Sequence, residues 1–353
     1  MTNIVSDVEV TEVRAAHRFD EGALAEYLKQ NVDGFSGDLT VRQFDGGQSN
    51  TTYWLEAGGT KYVLRKKPPG KLLKSAHQID REYMFMKALA DTDVPVPRML
   101  ALCEDDSIIG TDFYVMEHVE GRVLIDPSLP SMSNSDRCAA YEHFIHVLAK
   151  LHLVDYEQVG LGQFARPGDY YDRQISRWSK QYEASATEKI QEMDDLIKWL
   201  PDNIPTDSDT SIAHGDYRFG NVILHPTKPE VIAVLDWELA TIGHPLADLS
   251  YCGQEYYFHK GAGGIANVDP TTLGIPSVDD FIGQYCKATK RDKIDNWPFY
   301  IAYNLFRSAA IVQGVYKRGL DGNAASDQAL TFKHVCRDRA VAAWKILQDA
   351  GLV

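Results

Sequence analysis

The sequence predicts an α+β fold in two lobes, with an antiparallel-sheet N-lobe and a mainly helical C-lobe. Three strand-like runs lie at 39–44, 51–57 and 60–66, separated by glycine-containing turns, whereas long helical patterns take over after Gly121. The length of 353 residues points the same way, because one hydrophobic core rarely serves so long a chain. The expected division is 1–120 and 121–353, with the residues before about Asp20 as a loosely docked arm.

The elements follow in order. EGALAEYLKQNV reads as a short amphipathic helix with Leu24, Tyr27 and Leu28 on one side. The run LTVRQF leads through D-G-G-Q-S-N into TTYWLEA, then through Gly58-Gly59 into TKYVLRK, a three-stranded meander. The stretch 71–90 reads as a helix with Ile79, Tyr83, Met86 and Leu89 or Ala90 on one face, ended by Val94-Pro95-Val96-Pro97. RMLALCED and DFYVMEHVEG are two further strand candidates. In the second lobe, 136–155 is a long helix. A hairpin of 221–224 and 231–237, turning through H-P-T-K-P-E, interrupts the helices. From about Asp279 the pattern is helical again.

Composition narrows the function. A net charge of −14 repels nucleic acid and anionic lipid, so neither is an expected partner. An anionic ligand then needs local cations, backbone N–H groups or a metal. No run approaches the ~18 apolar residues of a membrane span, and no basic start precedes an apolar stretch, so a cytoplasmic location is expected. The five cysteines are scattered with no C-x-x-C pair, which argues for reduced thiols. The histidines show no zinc spacing. His152 sits on an apolar helix face and reads as a satisfied core residue.

The segment from His214 to Asn221 reads H-G-D-Y-R-F-G-N, matching H-x-D-x-x-x-x-N, the catalytic-loop pattern of kinases. Phosphoryl transfer needs a carboxylate to take the acceptor's proton, oxygen ligands for Mg²⁺, and a rigid loop to hold both. Asp216 is the candidate base. Asn221 and Asp236 are the candidate metal ligands, because the hairpin brings them to one end.

These stretches resemble the aminoglycoside phosphotransferase and choline kinase-like superfamily. They most resemble the kinase-like domains fused to, or encoded with, acyl-CoA dehydrogenases. F-D-G-G-Q-S-N, Y-V-L-R-K-K-P-P-G, R-E-Y, F-Y-V-M-E, H-G-D-Y-R-F-G-N and L-D-W-E-L-A-T-I-G-H-P-L-A-D-L carry the likeness, over 44–251. It implies a protein-kinase-like two-lobed fold, with ATP and Mg²⁺ as cofactors and a small hydroxylated molecule as substrate. Gly46, Gly47, Gln48, Ser49 and Asn50 then form the phosphate-covering turn, although G-x-G-x-x-G is not complete. Arg65 takes the place of the V-A-I-K lysine, a planar fork for a point charge, with Lys67 as the alternative. Glu82 pairs that cation. Glu117 and Val119 lie in the inter-lobe hinge, where main-chain groups read the adenine. Asp248 is the buried acid that braces the catalytic loop.

For the acceptor, the resemblance implies segments near the catalytic loop and the C-terminal helices, with Arg218, Tyr303 and Arg307 as candidates. The basic Arg218, Arg307, Lys317 and Arg318 suit an anionic acceptor. The link to acyl-CoA dehydrogenases implies a hydroxyacyl-CoA or related hydroxy acid, and a functional connection to such a dehydrogenase. Two other readings stay open: an aminoglycoside- or choline-type kinase, and a pseudokinase that binds nucleotide without turnover. A protein kinase is disfavoured, since D-F-G and A-P-E are absent from the sequence.

Overall fold

The computed structural model describes residues 9–44, 50–67, 79–166, 168–207, 209–258, 264–266, 268–322 and 327–353. In chain order its strands and helices are β1 (Val10–Thr11), α1 (Glu21–Asn31), β2 (Thr40–Phe44), β3 (Thr51–Ala57), β4 (Thr60–Lys66), α2 (Ile79–Leu89), β5 (Met99–Cys103), α3 (Asp106–Ile109), β6 (Phe113–Glu117) and α4 (Asn134–Leu153). Then come α5 (Tyr170–Ser185), α6 (Gln191–Asp202), β7 (Ser211–Ala213), β8 (Val222–Leu224), β9 (Val231–Val234), β10 (Thr241–Gly243), α7 (Pro245–Gly253), α8 (Pro270–Leu273), α9 (Val278–Thr289), α10 (Trp297–Leu320) and α11 (Val335–Asp349). The chain divides into two compact units. One is Met1–Ile125 with Val159–Leu161 and Phe219–Ala240; the other is Asp126–Gln158, Gly162–Arg218 and Thr241–Val353.

The first unit is built on a sheet of order β1-β2-β3-β4-β6-β5, each neighbouring pair antiparallel. The β3–β4 turn runs through Gly58 and Gly59 at φ 56° and 77°, the doubly positive geometry of a tight hairpin. Leu24 and Leu28 of α1 pack into a core with Tyr53, Leu55, Leu64, Phe113 and Val115, and the Tyr27 ring meets Phe113 edge-on at 5.2 Å. The described part of the segment expected to be a loose arm is docked at several points. Val10 pairs with Phe44, and the Tyr53 hydroxyl donates to the His17 carbonyl at 2.7 Å.

Two details depart from the sequence reading. In α2 the buried set is Ile79, Glu82, Phe85, Met86 and Leu89, while Tyr83 is half-buried and Ala90 exposed. The helix is turned so that a carboxylate, Glu82, shares the apolar face. The β8–β9 hairpin, expected in the second lobe, belongs to the first unit. Its outer edges are satisfied there: Arg122 and Leu224 exchange backbone hydrogen bonds of 2.8 Å, and the Val234 N–H donates to the Pro95 carbonyl at 2.8 Å.

The second unit is mainly helical, with the antiparallel β7–β10 pair within it. The 24-residue α10 runs buried through Phe299–Gly314 on most of its faces. Its aromatic start is core: the Tyr171 ring lies 5.4 Å from Phe299, 5.8 Å from Tyr300 and 4.9 Å from Tyr303. Among the described residues no helix is long and apolar enough to cross a membrane.

Candidate functional site

The first unit gathers charge around Arg65. β4 alternates its side chains, so Arg65 leaves the sheet on the side where α2 presents Glu82. The guanidinium Nε lies 3.1 Å from Glu82 Oε2, and Nη2 lies 2.6 Å from Asp236 Oδ1 and 3.7 Å from Glu238 Oε2. Glu82 is fully buried and also accepts from Asn50 Nδ2 at 2.8 Å and the Tyr114 hydroxyl at 2.9 Å. Burial opposes the charge on Arg65, but Glu82 and Asp236 outweigh it and hold the guanidinium protonated. Burial pushes Glu82 up to about 7, with Arg65 pulling it down. Three carboxyl groups thus face one cation, an arrangement that favours a further cation.

Asp236 adopts φ 65° and ψ 60°, the left-handed region that a non-glycine residue enters at a cost of about 1–3 kcal/mol. Its neighbours enforce this. The Leu235 N–H donates to the Asn221 carbonyl at 2.8 Å. Trp237 is fully buried, donates its indole N–H to Val234 at 3.0 Å, and stacks on Phe85. The same Leu235–Asn221 bond sets Asn221 and Asp236 at one end of the hairpin. An amide and a carboxylate are hard oxygen donors, which fits Mg²⁺.

The second unit holds the first part of the H-G-D-x-x-x-x-N segment. Gly215 takes φ 82°, so a side chain there would be strained. Asp248 of α7 is buried and accepts from the backbone N–H groups of His214, at 2.5 Å, and Gly215, at 2.7 Å. Burial alone would raise the Asp248 carboxyl, but His152, His214 and the Gly215 N–H hold it below its ordinary value. His152 lies between Asp248 and the Tyr285 hydroxyl, satisfied on both ring nitrogens. The Asp216 N–H donates to His214 Nδ1 at 3.2 Å.

The Asp216 carboxylate is one-fifth exposed, and its Oδ1 lies 3.6 Å from Arg218 Nε. The Tyr251 hydroxyl donates to the same oxygen. Arg307, 8% exposed, donates to the Gly215 carbonyl at 2.7 Å and lies over the rings of Tyr251 and Trp178. It therefore meets the loop itself, a role the sequence did not separate from contact with an acceptor. Tyr303 is fully buried in the aromatic cluster, so its ring is packing.

The remaining candidates fall elsewhere. Gly46, Gly47, Gln48 and Ser49 lie outside the described residues. The Lys67 ammonium pairs with Asp112, so Arg65 alone of the two meets Glu82. Glu117 ends β6, and its side chain accepts from the Arg98 N–H at 2.9 Å. Val119 follows β6 and is half-buried; its main-chain groups make no hydrogen bond among the described residues.

Sequence reasoning missed Glu238, Tyr251 and Glu255. Glu238 follows Asp236 by two residues, and Tyr251 stands three beyond Asp248, one helical turn along α7. Both spacings were legible once those acids were placed. Glu255 lies one further turn along, and burial pushes its carboxyl up to about 8; Arg218 opposes this, while Asp216 and Asp126 add to it. The folded state therefore keeps a proton that the unfolded chain gives up near its ordinary value of 4.5. Stability from this group is full at lower pH and drains away as pH rises toward 8, at a slope of up to about 1.4 kcal/mol per pH unit. Glu255→Gln removes that slope, which melting temperatures of both proteins from pH 5 to pH 8 would reveal; parallel curves contradict it.

The sequence profile of the phosphotransferase enzyme family matches residues 40–280. Over 343 residues the chain is 46% identical to mouse acyl-CoA dehydrogenase family member 10, covering 96% of this chain and 32% of the relative. It thus spans about a third of that relative's length. A candidate aminoglycoside phosphotransferase from Ralstonia eutropha superposes with a TM-score of 0.86 at 47% identity, over 94% of this chain and 99% of that one. Choline kinase from Cryptosporidium parvum shares the fold, with a TM-score of 0.64 at 12% identity over 95% of this chain and 98% of that one. The antiparallel-sheet lobe and the helical lobe are those of this kinase-like fold.

Proposed function

The chain belongs to the phosphotransferase enzyme family, and from that premise we propose that it is an ATP- and Mg²⁺-dependent kinase acting on the hydroxyl of a small anionic molecule. The observation that carries this reading is the Arg65–Glu82–Asp236 cluster, which sets a fixed cation beside a strained acid at the end of the β8–β9 hairpin. An ordinary structural ion pair does not need a left-handed aspartate.

In this reading Asn221 and Asp236 hold Mg²⁺, which when bound neutralises charge on the transferred phosphoryl group. Arg65 and the turn of Gly46, Gly47, Gln48, Ser49 and Asn50 meet the phosphates, with Asn50 also fixing Glu82. Main-chain groups of Glu117 and Val119 read the base. Asp216 takes the proton from the acceptor hydroxyl, and Asp248 keeps the loop's backbone in place for it.

The acceptor class rests on arginines. Arg307 and Arg177 both lie over the Trp178 ring, with guanidinium carbons 5.7 Å and 4.9 Å from its centroid. Neither pairs with a carboxylate among the described residues. Two like charges on one indole favour an anion beside them, and Arg218 adds a third cation near Asp216. A hydroxyacyl-CoA or related hydroxy acid fits, and so does a functional link to an acyl-CoA dehydrogenase, in view of the relative's name.

Turnover with Mg·ATP and equal concentrations of a hydroxyacyl-CoA, a free hydroxy acid, choline and an aminoglycoside tests this. The anionic acceptors are expected to lead. Arg177→Ala is expected to lower kcat/KM for them about 5- to 10-fold, the effect of one partly desolvated charge, while leaving choline untouched. A lead for the cationic acceptors sinks the anionic reading and leaves the kinase reading standing.

A further inference from the structure

Tyr251 stands at the meeting of the two groups that define the catalytic loop. Its hydroxyl donates to Asp216 Oδ1, and its ring carries the Arg307 guanidinium at 5.2 Å from the centroid. That guanidinium in turn holds the carbonyl of Gly215, the residue before Asp216. One side chain thus connects the carboxylate and the backbone that carries it. We infer that Tyr251 is a positioning residue for phosphoryl transfer: by engaging Oδ1 it fixes the orientation of the carboxylate that takes the acceptor's proton.

The argument rests on the reading of Asp216 as the base. A carboxylate on a free χ2 presents either oxygen in a broad range of orientations. A charge-assisted hydrogen bond to one oxygen narrows that range to the orientations that keep the bond. Burial, followed by the charge of Asp216, raises the proton affinity of Tyr251 well above its ordinary value. The hydroxyl therefore remains a donor across the working range of a kinase. Arg218 meets the same Oδ1 as a cation, its Nε at 3.6 Å.

Tyr251→Phe removes the hydroxyl and keeps the ring beneath Arg307. ADP formation from Mg·ATP is measured with water and with a hydroxyacyl-CoA as acceptor. The expected result is a fall in kcat of about tenfold, the loss of one charge-assisted hydrogen bond, with KM for ATP unchanged. In an Asp216→Asn background the same change is expected to do nothing further, since Tyr251 acts through that carboxylate. Incorporating 3,5-difluorotyrosine at position 251 strengthens the donor without altering the packing, and is expected to shift kcat where a purely structural tyrosine would not. Unchanged kcat in Tyr251→Phe overturns the inference, and so does an increase, which would mean that the hydroxyl competes with the acceptor. Additive losses in the double variant overturn it too. If instead Asp216→Asn itself retains turnover, or the wild type forms no ADP, the base or kinase reading has failed and this inference with it.

Discussion

Asp216→Asn is expected to lower phosphoryl transfer by ~10³-fold or more, the scale of a lost general base together with a misplaced acceptor. The amide keeps the shape of the side chain, and it can still receive the Tyr251 hydroxyl on its oxygen. The loop is held from outside the carboxylate: Asp248 fixes the N–H groups of His214 and Gly215, and Arg307 fixes the Gly215 carbonyl. Fold and ATP affinity are therefore expected to survive, with only kcat lost. A single-turnover assay with saturating Mg·ATP reads the chemical step directly. Near-wild-type turnover in the variant shows that Asp216 is not the base.

Asp236→Ala is expected to act on binding. On the proposed reading it removes a metal ligand, so affinity for Mg·ATP is expected to fall by at least the ~10–100-fold that lost outer-sphere partners already cost. The Arg65 cluster outlasts the change, because Glu82 at 3.1 Å and Glu238 at 3.7 Å still hold the guanidinium. One negative charge fewer beside the phosphates leaves the affinity for metal-free ATP unchanged or improved. Calorimetric titrations with and without Mg²⁺ separate the two effects. Equal losses in both titrations would point to a disturbed hairpin, and no loss in either removes Asp236 from the metal site.

Much of this was legible in the sequence, for identifiable reasons. The meander was readable because strand alternation and the Gly58-Gly59 turn act locally. The hairpin end that gathers Asn221 and Asp236 was readable because a tight turn leaves little freedom in register. The pairing of Arg65 with Glu82 followed from a resemblance and from strand-plus-helix geometry. What the sequence hid depends on tertiary packing. Tyr83 was expected on the buried face of α2, yet the face that is buried carries Glu82 and Phe85, and Phe85 stacks on Trp237, 152 positions along the chain. The hairpin looked like part of the second lobe because sequence order hides its bonds to Pro95 and Arg122. Arg307 and Tyr303 fell on one helical stripe, yet one reaches the Gly215 carbonyl and the other is sealed in an aromatic cluster. Periodicity gives a face and says nothing of what lies opposite it.

The most direct test of the account follows the γ-phosphoryl group of ATP itself. The wild-type protein is incubated with γ-labelled Mg·ATP and a hydroxyacyl-CoA, and the label is traced by mass spectrometry with and without a Mg²⁺ chelator. The account predicts label on the acceptor hydroxyl in step with ADP formed, lost on chelation and lost in Asp216→Asn. Nucleotide that binds with Mg²⁺ while no label reaches the hydroxyacyl-CoA, the hydroxy acid, choline or the aminoglycoside would contradict it, and would make this kinase-like fold a nucleotide-binding module.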